Sequence, residues 1–317
     1  MPQRKNKAVL GILVVVFLSF VLLMIFASYT MKNLRSDDSS FNVGSFGKKG
    51  SIAVVEVNGV IMDSKNLIEL VHKAENDKGT KAIIIRINSP GGAVGPTQEV
   101  YEEIRRIDSA YDKSEGKEGK PVYASFGTIA ASGGYYLGAA TRKIYSNPGT
   151  LTGSIGVIMQ FMDLSRLYEF AMVNQQNIKS GRYKDVGQPN RAITPEEKAL
   201  LEGVISGVHK QFMDDVLRTR KGKVKGDLNE LAQGQIFSGE QAFNFGLVDE
   251  LGSLWQAGRR IHEELKLEGE FGFKFIEKKK KTGLWALMDN IDEAVTNLRI
   301  LTSKMGSSIE APSILFK

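Results

Sequence analysis

The sequence predicts an α/β domain with a mostly parallel, covered sheet, preceded by one transmembrane helix. In the first half of the folded region, apolar β-branched runs alternate with segments of helical apolar spacing, and the chain opens with a long uncharged stretch. Such alternation is typical of units in which helices cover both faces of a parallel sheet. The 317 residues, 42% of them hydrophobic, are enough to bury a large core.

The uncharged stretch covers residues 8–31, which are 24 residues. About 20 residues suffice for a helix to cross the hydrocarbon of a bilayer. Basic residues precede the stretch, so the positive-inside tendency predicts that residues 1–7 stay in the cytoplasm and the rest of the chain is exported. A cleaved signal peptide is the alternative, but its apolar core is only about 7–15 residues long. We therefore expect a retained anchor.

The remaining chain divides by composition. Residues 32–50 are rich in Ser, Asp, Gly and Lys and predict a flexible tether. Residues 51–282 form the predicted folded domain, and residues 283–317 predict a carboxyl-terminal helix and tail. Residues 112–120, DKSEGKEGK, predict an exposed and disordered loop inside the domain.

Strands are predicted at residues 52–57, 82–87 and 121–126, the first two followed by helices. The longest predicted helix begins after Thr194, because Thr194 and Glu197 have capping-box spacing. Its amphipathic stripe predicts one buried face. The stripe consists of Leu201, Val204, Ile205, Val208 and Phe212.

Composition excludes several classes of function. Cysteine is absent, so the chain has no disulfide framework and no thiolate nucleophile. The net charge of +6 is dispersed, so no nucleic-acid partner is expected, and the run Lys278–Lys281 predicts a solvated segment or a contact with anionic lipid. The histidines His72, His209 and His262 lie in predicted helices, outside any HExxH spacing. We expect neither a histidine triad nor a metal or cofactor.

Three segments contain residues that could perform chemistry. A glycine turn, Ser89–Gly92, follows the second strand, and Ser132 follows the third strand among small neighbours. Lys184 lies in a later polar loop. Read separately, these features predict an ordinary turn, a helix cap and a solvated lysine.

Taken together and in order, four motifs resemble the short, single-repeat form of bacterial signal peptide peptidase A. They are SPGG at 89–92, AASGGYY at 130–136, TGSIGV at 152–157 and SGRYKD at 180–185. GQIFSG at 234–239 and GLVDELG at 246–252 match as well. The resemblance covers about residues 51–265 and implies a crotonase-like, Clp-protease-like fold with repeated ββα units. On this reading, residues 51–282 are the peptidase domain.

By motif position, the resemblance implies roles for five residues. Ser132 would be the nucleophile, Lys184 its general base and Ser154 the serine that orients the lysine. The backbone N–H groups of Gly92 and Gly133 would be the oxyanion donors. A lysine, with an ordinary pKa near about 10.4, can act as a base only where burial and the lack of a paired carboxylate favour its neutral form. The carboxylate next to Lys184 must therefore point away.

The expected function is a membrane-bound serine endopeptidase that cleaves remnant signal peptides and other apolar peptides through an acyl-enzyme. The resemblance implies a bacterial inner-membrane location, with the catalytic domain on the periplasmic side, and a ring-like homo-oligomer whose active site lies near a subunit interface. The tail at residues 311–316, small and then apolar, is a candidate self-substrate. A coenzyme A-dependent crotonase and a non-catalytic membrane scaffold are the alternatives. The first leaves the anchor and Lys184 unexplained, and the second needs neither Ser132 nor Lys184.

Overall fold

The computed structural model describes residues 51–277 and the backbone of residues 315–316. Among these residues, nine strands were assigned in the domain and a tenth in the tail. They are β1 (Ile52–Asn58), β2 (Ala82–Ser89), β3 (Gly92–Ala93), β4 (Val122–Ala131), β5 (Lys143–Ser146), β6 (Leu151–Gly153), β7 (Ile236–Ser238), β8 (Glu250–Leu251), β9 (Phe273–Phe275) and β10 (Leu315–Phe316). The helices are α1 (Lys65–Glu75), α2 (Val94–Lys113), α3 (Gly133–Ala139), α4 (Ser165–Phe170), α5 (Pro195–Arg220), α6 (Leu228–Leu231), α7 (Gly239–Asn244) and α8 (Leu254–Glu264).

The main sheet has eight strands, with the path β7-β6-β4-β2-β1-β9. β1 pairs in parallel with β2 and β9, and β2 pairs in parallel with β4. The exception on this path is β7, which runs antiparallel to β6. The predicted α/β class with a mostly parallel sheet is therefore confirmed.

The central strands are buried on both faces, which explains why they lack polar alternation in the sequence. On one face, Val55 and Ile85 pack in a cluster with residues of α1 and α2. On the other face, Val54 and Ile84 pack against residues of α8. Successive side chains of a strand point to opposite faces, so each strand contributes to both clusters.

Strand β4 has ten residues and shares one edge between two partners. Its first half, Tyr123–Ser125, pairs with β5, and its second half, Ile129–Ala131, pairs with β6. The predicted strand at 121–126 is confirmed but too short, because the strand continues through Gly127 to Ala131. This extension determines where Ser132 lies.

Helix α5 begins as predicted, with both halves of the capping box between Thr194 and Glu197 formed. Its predicted apolar face is covered only in part. Phe212 and Val216 are fully buried, whereas Val204 is 43% exposed. The first half of the helix therefore presents apolar surface to solvent in the single chain.

The loop 112–120 is better anchored than the sequence predicts. The ammonium of Lys120 is buried at the end of α1, where it donates to the carbonyl of Ala74 and the hydroxyl of Thr80. Desolvation lowers the pKa of Lys120 to about 8. The end of this loop is thus fixed against the domain.

Within the described part of the chain, none of the helices has the length and apolar character needed to cross a bilayer. The anchor predicted at 8–31, the tether at 32–50 and the helix within 283–317 lie outside the described residues. They stay predictions.

Candidate active site

Ser132 lies between the end of β4 and the start of α3. Its backbone has φ 53° and ψ −117°, a conformation that side-chain-bearing residues rarely adopt. Its N–H donates to the carbonyl of Gly153 at 2.8 Å, and its own carbonyl accepts from Tyr136 N–H at 2.9 Å. These bonds hold the strained turn in place, as in the strand-to-helix elbow that presents the nucleophile in α/β-hydrolases.

The Ser132 side chain is 0% exposed, and its Oγ has no hydrogen-bond partner among the described residues. Buried hydroxyls are nearly always bonded, so an unpaired one requires an explanation. A buried hydroxyl that makes no structural hydrogen bond is available for chemistry.

Gly92 and Gly133 lie against each other beside Ser132. A Cβ on Gly133 would come within 3.2 Å of Gly92 N, and one on Gly92 would lie 2.0 Å from the carbonyl oxygen of Ile61. Ala93 N–H donates to that same carbonyl at 2.7 Å. Because successive residues of a strand direct their N–H groups to opposite edges, Gly92 N–H faces the other edge of β3. Only glycine allows both close approaches.

Ser154 follows β6, the strand that pairs in parallel with the end of β4 through Ala131 and Gly153. It is buried, has φ 51° and donates its N–H to the carbonyl of Gln235 at 2.7 Å. The structure therefore brings four of the five predicted residues to one end of the sheet: Ser132, Ser154, Gly92 and Gly133.

Lys184, the fifth predicted residue, is exposed, whereas Ser132 and Ser154 are buried. It lies in a turn of the exposed segment that precedes α5, and its Nζ has neither a hydrogen bond nor an ion pair among the described residues. Since Ser132 Oγ has no partner either, no hydrogen bond joins the two side chains.

The carboxylate of Asp185, next to Lys184 in the sequence, is paired with two other cations. It binds Arg191 Nη2 at 2.9 Å and also pairs with Lys179. Hydrogen bonds from Arg191, and then from Lys179, lower the pKa of Asp185 to about 2. Sequence reasoning missed Arg191, although its position three residues before the capping box at Thr194 was a usable signal.

The segment between β6 and α5, which bears Lys184, is largely exposed from residue 158 onward and carries uncovered apolar side chains. Phe170 is 86% exposed and Ile178 is fully exposed. The others above half exposure are Met162, Leu167, Met172 and Val173. Isolated apolar residues on a surface are ordinary, but a continuous segment of this kind is typical of an interaction surface.

The carboxyl-terminal strand β10 pairs with β3. Leu315 and Phe316 run antiparallel to β3, with Leu315 opposite Ala93 and Phe316 opposite Gly92. The edge of β3 that bears the Gly92 N–H is thus one on which an extended segment can pair.

Other chemistry is poorly supported among the described residues. His72, Glu75 and Glu103 are close enough to share a metal ion, but Arg106 already binds both carboxylates. No histidine donates to Ser132 Oγ or accepts from it. The described residues therefore offer no histidine triad at Ser132.

Comparison with known proteins gives an independent assignment. The profile of peptidase family S49 matches residues 114–268, which contain Ser132, Ser154 and Lys184. A Synechocystis protein named as a protease is 39% identical over 203 residues, which are 64% of this chain and 70% of that protein. An Enterococcus faecium protein named as a signal peptide peptidase is 32% identical over 243 residues, 73% of this chain and 67% of the relative.

A chloroplastic serine protease of Arabidopsis thaliana is 33% identical over 231 residues, which are 68% of this chain but only 33% of that longer protein. The chain thus matches about a third of the longer relative and two thirds or more of the two shorter ones. Identity above 30% over two thirds of a relative, together with the family profile, shows that the chain belongs to peptidase family S49, the family of the bacterial signal peptide peptidase A proteins.

Proposed function

We propose that the chain is a membrane-anchored serine endopeptidase that cleaves remnant signal peptides and other apolar peptides, with Ser132 as nucleophile and Lys184 as general base. The observation that carries the proposal is the buried, strained and unpaired Ser132 at a strand end beside Gly92 and Gly133. A residue that serves only as a helix cap would use its hydroxyl to bind the helix, and Ser132 makes no such bond.

The reaction follows from these positions. Ser132 Oγ attacks the scissile carbonyl while Lys184 Nζ accepts the hydroxyl proton, and the same lysine then delivers the proton to the leaving amine. The N–H groups of Gly92 and Gly133 stabilise the negative charge that develops on the carbonyl oxygen. Water, deprotonated by Lys184, releases the acyl group from Ser132. Ser154, at the neighbouring strand end, orients the lysine.

In this proposal, Lys184 reaches Ser132 from a neighbouring copy of the chain. Lys184 is exposed, Ser132 lacks a partner, and the segment between them carries uncovered apolar side chains. The uncovered half of α5 adds to that surface. A homo-oligomer that buries this surface would stabilise itself and complete each active site at a subunit boundary.

The substrate would bind as an added strand on the edge of β3 that bears the Gly92 N–H, in place of β10. Strand addition uses backbone hydrogen bonds for affinity and side-chain pockets for selectivity, which suits a peptidase with a broad apolar preference. The pairing of β10 with β3 supports this mode, because the tail is itself a small-then-apolar segment at residues 311–316. The tail would then be a self-substrate or a competitor of other peptides.

The proposed anchor at residues 8–31 places the reaction at the membrane. It implies a single-pass protein of a bacterial inner membrane with its catalytic domain on the periplasmic side. Signal peptides released into the bilayer are apolar and would meet the enzyme there. The lipid bilayer, cleaved signal peptides and further copies of the chain are the proposed partners.

The test is subunit complementation between two inactive variants of the full-length chain. Ser132→Ala and Lys184→Ala are each purified alone and after co-expression with distinct tags, and cleavage of an apolar signal-peptide-like substrate is measured in detergent. If each site combines Ser132 of one copy with Lys184 of another, random mixing leaves about a quarter of the sites intact. The co-expressed sample should then recover about a quarter of the wild-type rate.

The control is co-expression of Ser132→Ala with the double variant, which leaves no intact pair of side chains and should stay inactive. Activity in Lys184→Ala alone would show that another group is the base. Two inactive variants with no recovery on mixing would show that both residues act within one chain and would contradict the shared site.

A further inference from the structure

Arg191 links the loop that bears Lys184 to the first turn of α5. Its Nη2 donates to the carboxylate of Asp185 at 2.9 Å and to the Asp185 carbonyl at 3.3 Å. The same guanidinium binds Glu197 through two bonds, from Nη2 at 2.6 Å and from Nη1 at 2.8 Å. A planar guanidinium can make such a two-sided contact, whereas a lysine ammonium cannot reproduce its geometry.

Glu197 is fixed independently of Arg191. It is the third residue of α5, and its Oε2 accepts the N–H of Thr194 at 2.9 Å while its own N–H donates to Thr194 Oγ1. The side chains of Glu197 and Asp185 are only 6% and 12% exposed. Two largely buried carboxylates so close together need a cation between them.

The far end of α5 is fixed to the helix that follows Ser132. Thr219 Oγ1 donates to the carbonyl of Ala139 at 2.6 Å, at the end of α3, and Tyr136 of α3 bonds to Asp215. Helix α5 therefore contacts α3 near its carboxyl end, and near its amino end it holds the loop that bears Lys184 through Arg191. This arrangement determines where Lys184 stands relative to the body of its own chain.

Lys184 and Asp185 are adjacent in the sequence, so an Asp185 carboxylate released from its present partners could pair with the lysine. An ammonium paired with a carboxylate within about 4–6 Å keeps its proton more firmly. The titratable and charged groups around the loop are Lys179, Arg182, Tyr183, Asp185, Arg191, Glu196 and Glu197. Arg182 and Tyr183 are bound to Glu196, so only Arg191 and Lys179 hold the Asp185 carboxylate.

We propose that Arg191 is a positioning residue that keeps the Asp185 carboxylate away from Lys184 and fixes the lysine loop on α5. The inference rests on the proposed function, in which Lys184 is the general base. Arg191 touches neither the substrate nor the reacting atoms and acts through Asp185. When Arg191 is removed, Asp185 keeps only Lys179 as a partner among the described residues, and its carboxylate can then also pair with Lys184, whose protonated form cannot accept the serine proton.

The test measures kcat against pH for the full-length enzyme in detergent, with an apolar peptide substrate. Arg191→Ala is expected to move the midpoint of the rising limb upward by about one pH unit or more, a loss of about tenfold or more in kcat at neutral pH. The double variant Arg191→Ala/Asp185→Asn should return the midpoint to the wild-type value, because the freed side chain no longer carries charge. Arg191→Lys should give a partial return.

The matched control is Arg182→Ala, which removes an arginine of the same loop that pairs with exposed Glu196. It should leave the midpoint unchanged. A merely structural role for Arg191 predicts a lower kcat at every pH, an unmoved midpoint and no rescue by Asp185→Asn, and that result would overturn the proposal.

Failure of the proposed function gives a different pattern. If Lys184→Ala retains wild-type cleavage, Lys184 is not the base and the pH profile has another origin. If Lys184→Ala is inactive and Arg191→Ala keeps the wild-type midpoint, the assignment of Lys184 as general base is retained and only the proposed role of Arg191 is wrong. Should Arg191→Ala fail to accumulate as folded protein, the midpoint of Arg191→Lys decides the same question, because only the proposal expects it to lie above the wild-type value.

Discussion

Replacing Ser132 by glycine should abolish catalysis and should leave the protein more stable than replacing it by alanine does. Ser132 has φ 53° and ψ −117°. For a residue with a Cβ, such a conformation costs about 1–3 kcal/mol. Glycine adopts it freely but loses roughly 0.5–1 kcal/mol more backbone entropy on folding than alanine does. The balance favours glycine over alanine at this position by about 1 kcal/mol.

The comparison of Ser132→Gly with Ser132→Ala isolates the backbone. Both variants remove the buried, unpaired hydroxyl, so the gain from removing it cancels, and only alanine retains the Cβ that creates the strain. For a domain of this size, a difference of about 1 kcal/mol corresponds to a Tm about 2–4 °C higher in the glycine variant.

The assay is urea unfolding of the full-length chain in detergent at one protein concentration, because stability depends on concentration where copies assemble. Ser146 supplies the control: it is buried in β5 and has no positive φ, so Ser146→Gly should be less stable than Ser146→Ala. If Ser132→Gly unfolds at lower urea concentration than Ser132→Ala, the backbone at Ser132 is not strained and the argument fails.

Three further predictions concern the site and its loop. Gly133→Ala places a Cβ about 3.2 Å from the Gly92 amide and should lower kcat by about 100-fold or more, whereas Gly95→Ala, with no atom in reach of its Cβ, should leave peptide cleavage unchanged. Deletion of residues 311–317 should lower the KM for an apolar peptide several-fold, because β10 would no longer compete for the edge of β3; an unchanged KM would show that the tail does not occupy that edge in solution. The pKa of Asp185 lies below its usual value, so its contribution to the folded loop is complete above about pH 4 and is lost as the pH falls through about 2. As the pH falls over that range, pepsin cleavage in the loop that bears Lys184 should therefore increase relative to cleavage elsewhere in the chain. If the ratio of the two cleavage rates does not depend on pH, the ion pairs of Asp185 do not hold the loop.

The central strands were predictable because burial on both faces leaves β-branched residues with no polar alternation. The run at residues 52–57 has that character, and the structure has a strand there. The extension of β4 to Ala131 was not predictable, since Gly127 interrupts the run and Ala130 and Ala131 are weak strand formers. Its neighbours β2 and β6 supply the hydrogen bonds that hold this stretch extended.

The chemistry of the site was predictable only where a motif marked it. No residue-level rule anticipates a positive φ at Ser132, because serine seldom adopts it and only the surrounding hydrogen bonds maintain it. The contacts of Arg191 with Asp185 and Glu197 were missed for a different reason: an arginine in a loop is most often solvated. Periodicity predicted an apolar face on α5, but a periodic pattern cannot say whether the same chain or another copy covers it.

The divided edge of β4 has a consequence for how this enzyme could change over time. The strand is paired with β5 over its first half and with β6 over its second. The first half contributes Tyr123 and Ala124 to the two apolar clusters, and Ser132 follows the second half. Ile155 is fully buried next to Ser154, whereas the residues from Ile158 onward are largely exposed, so variation in cleavage preference can arise in that exposed segment while both strand ends stay constant.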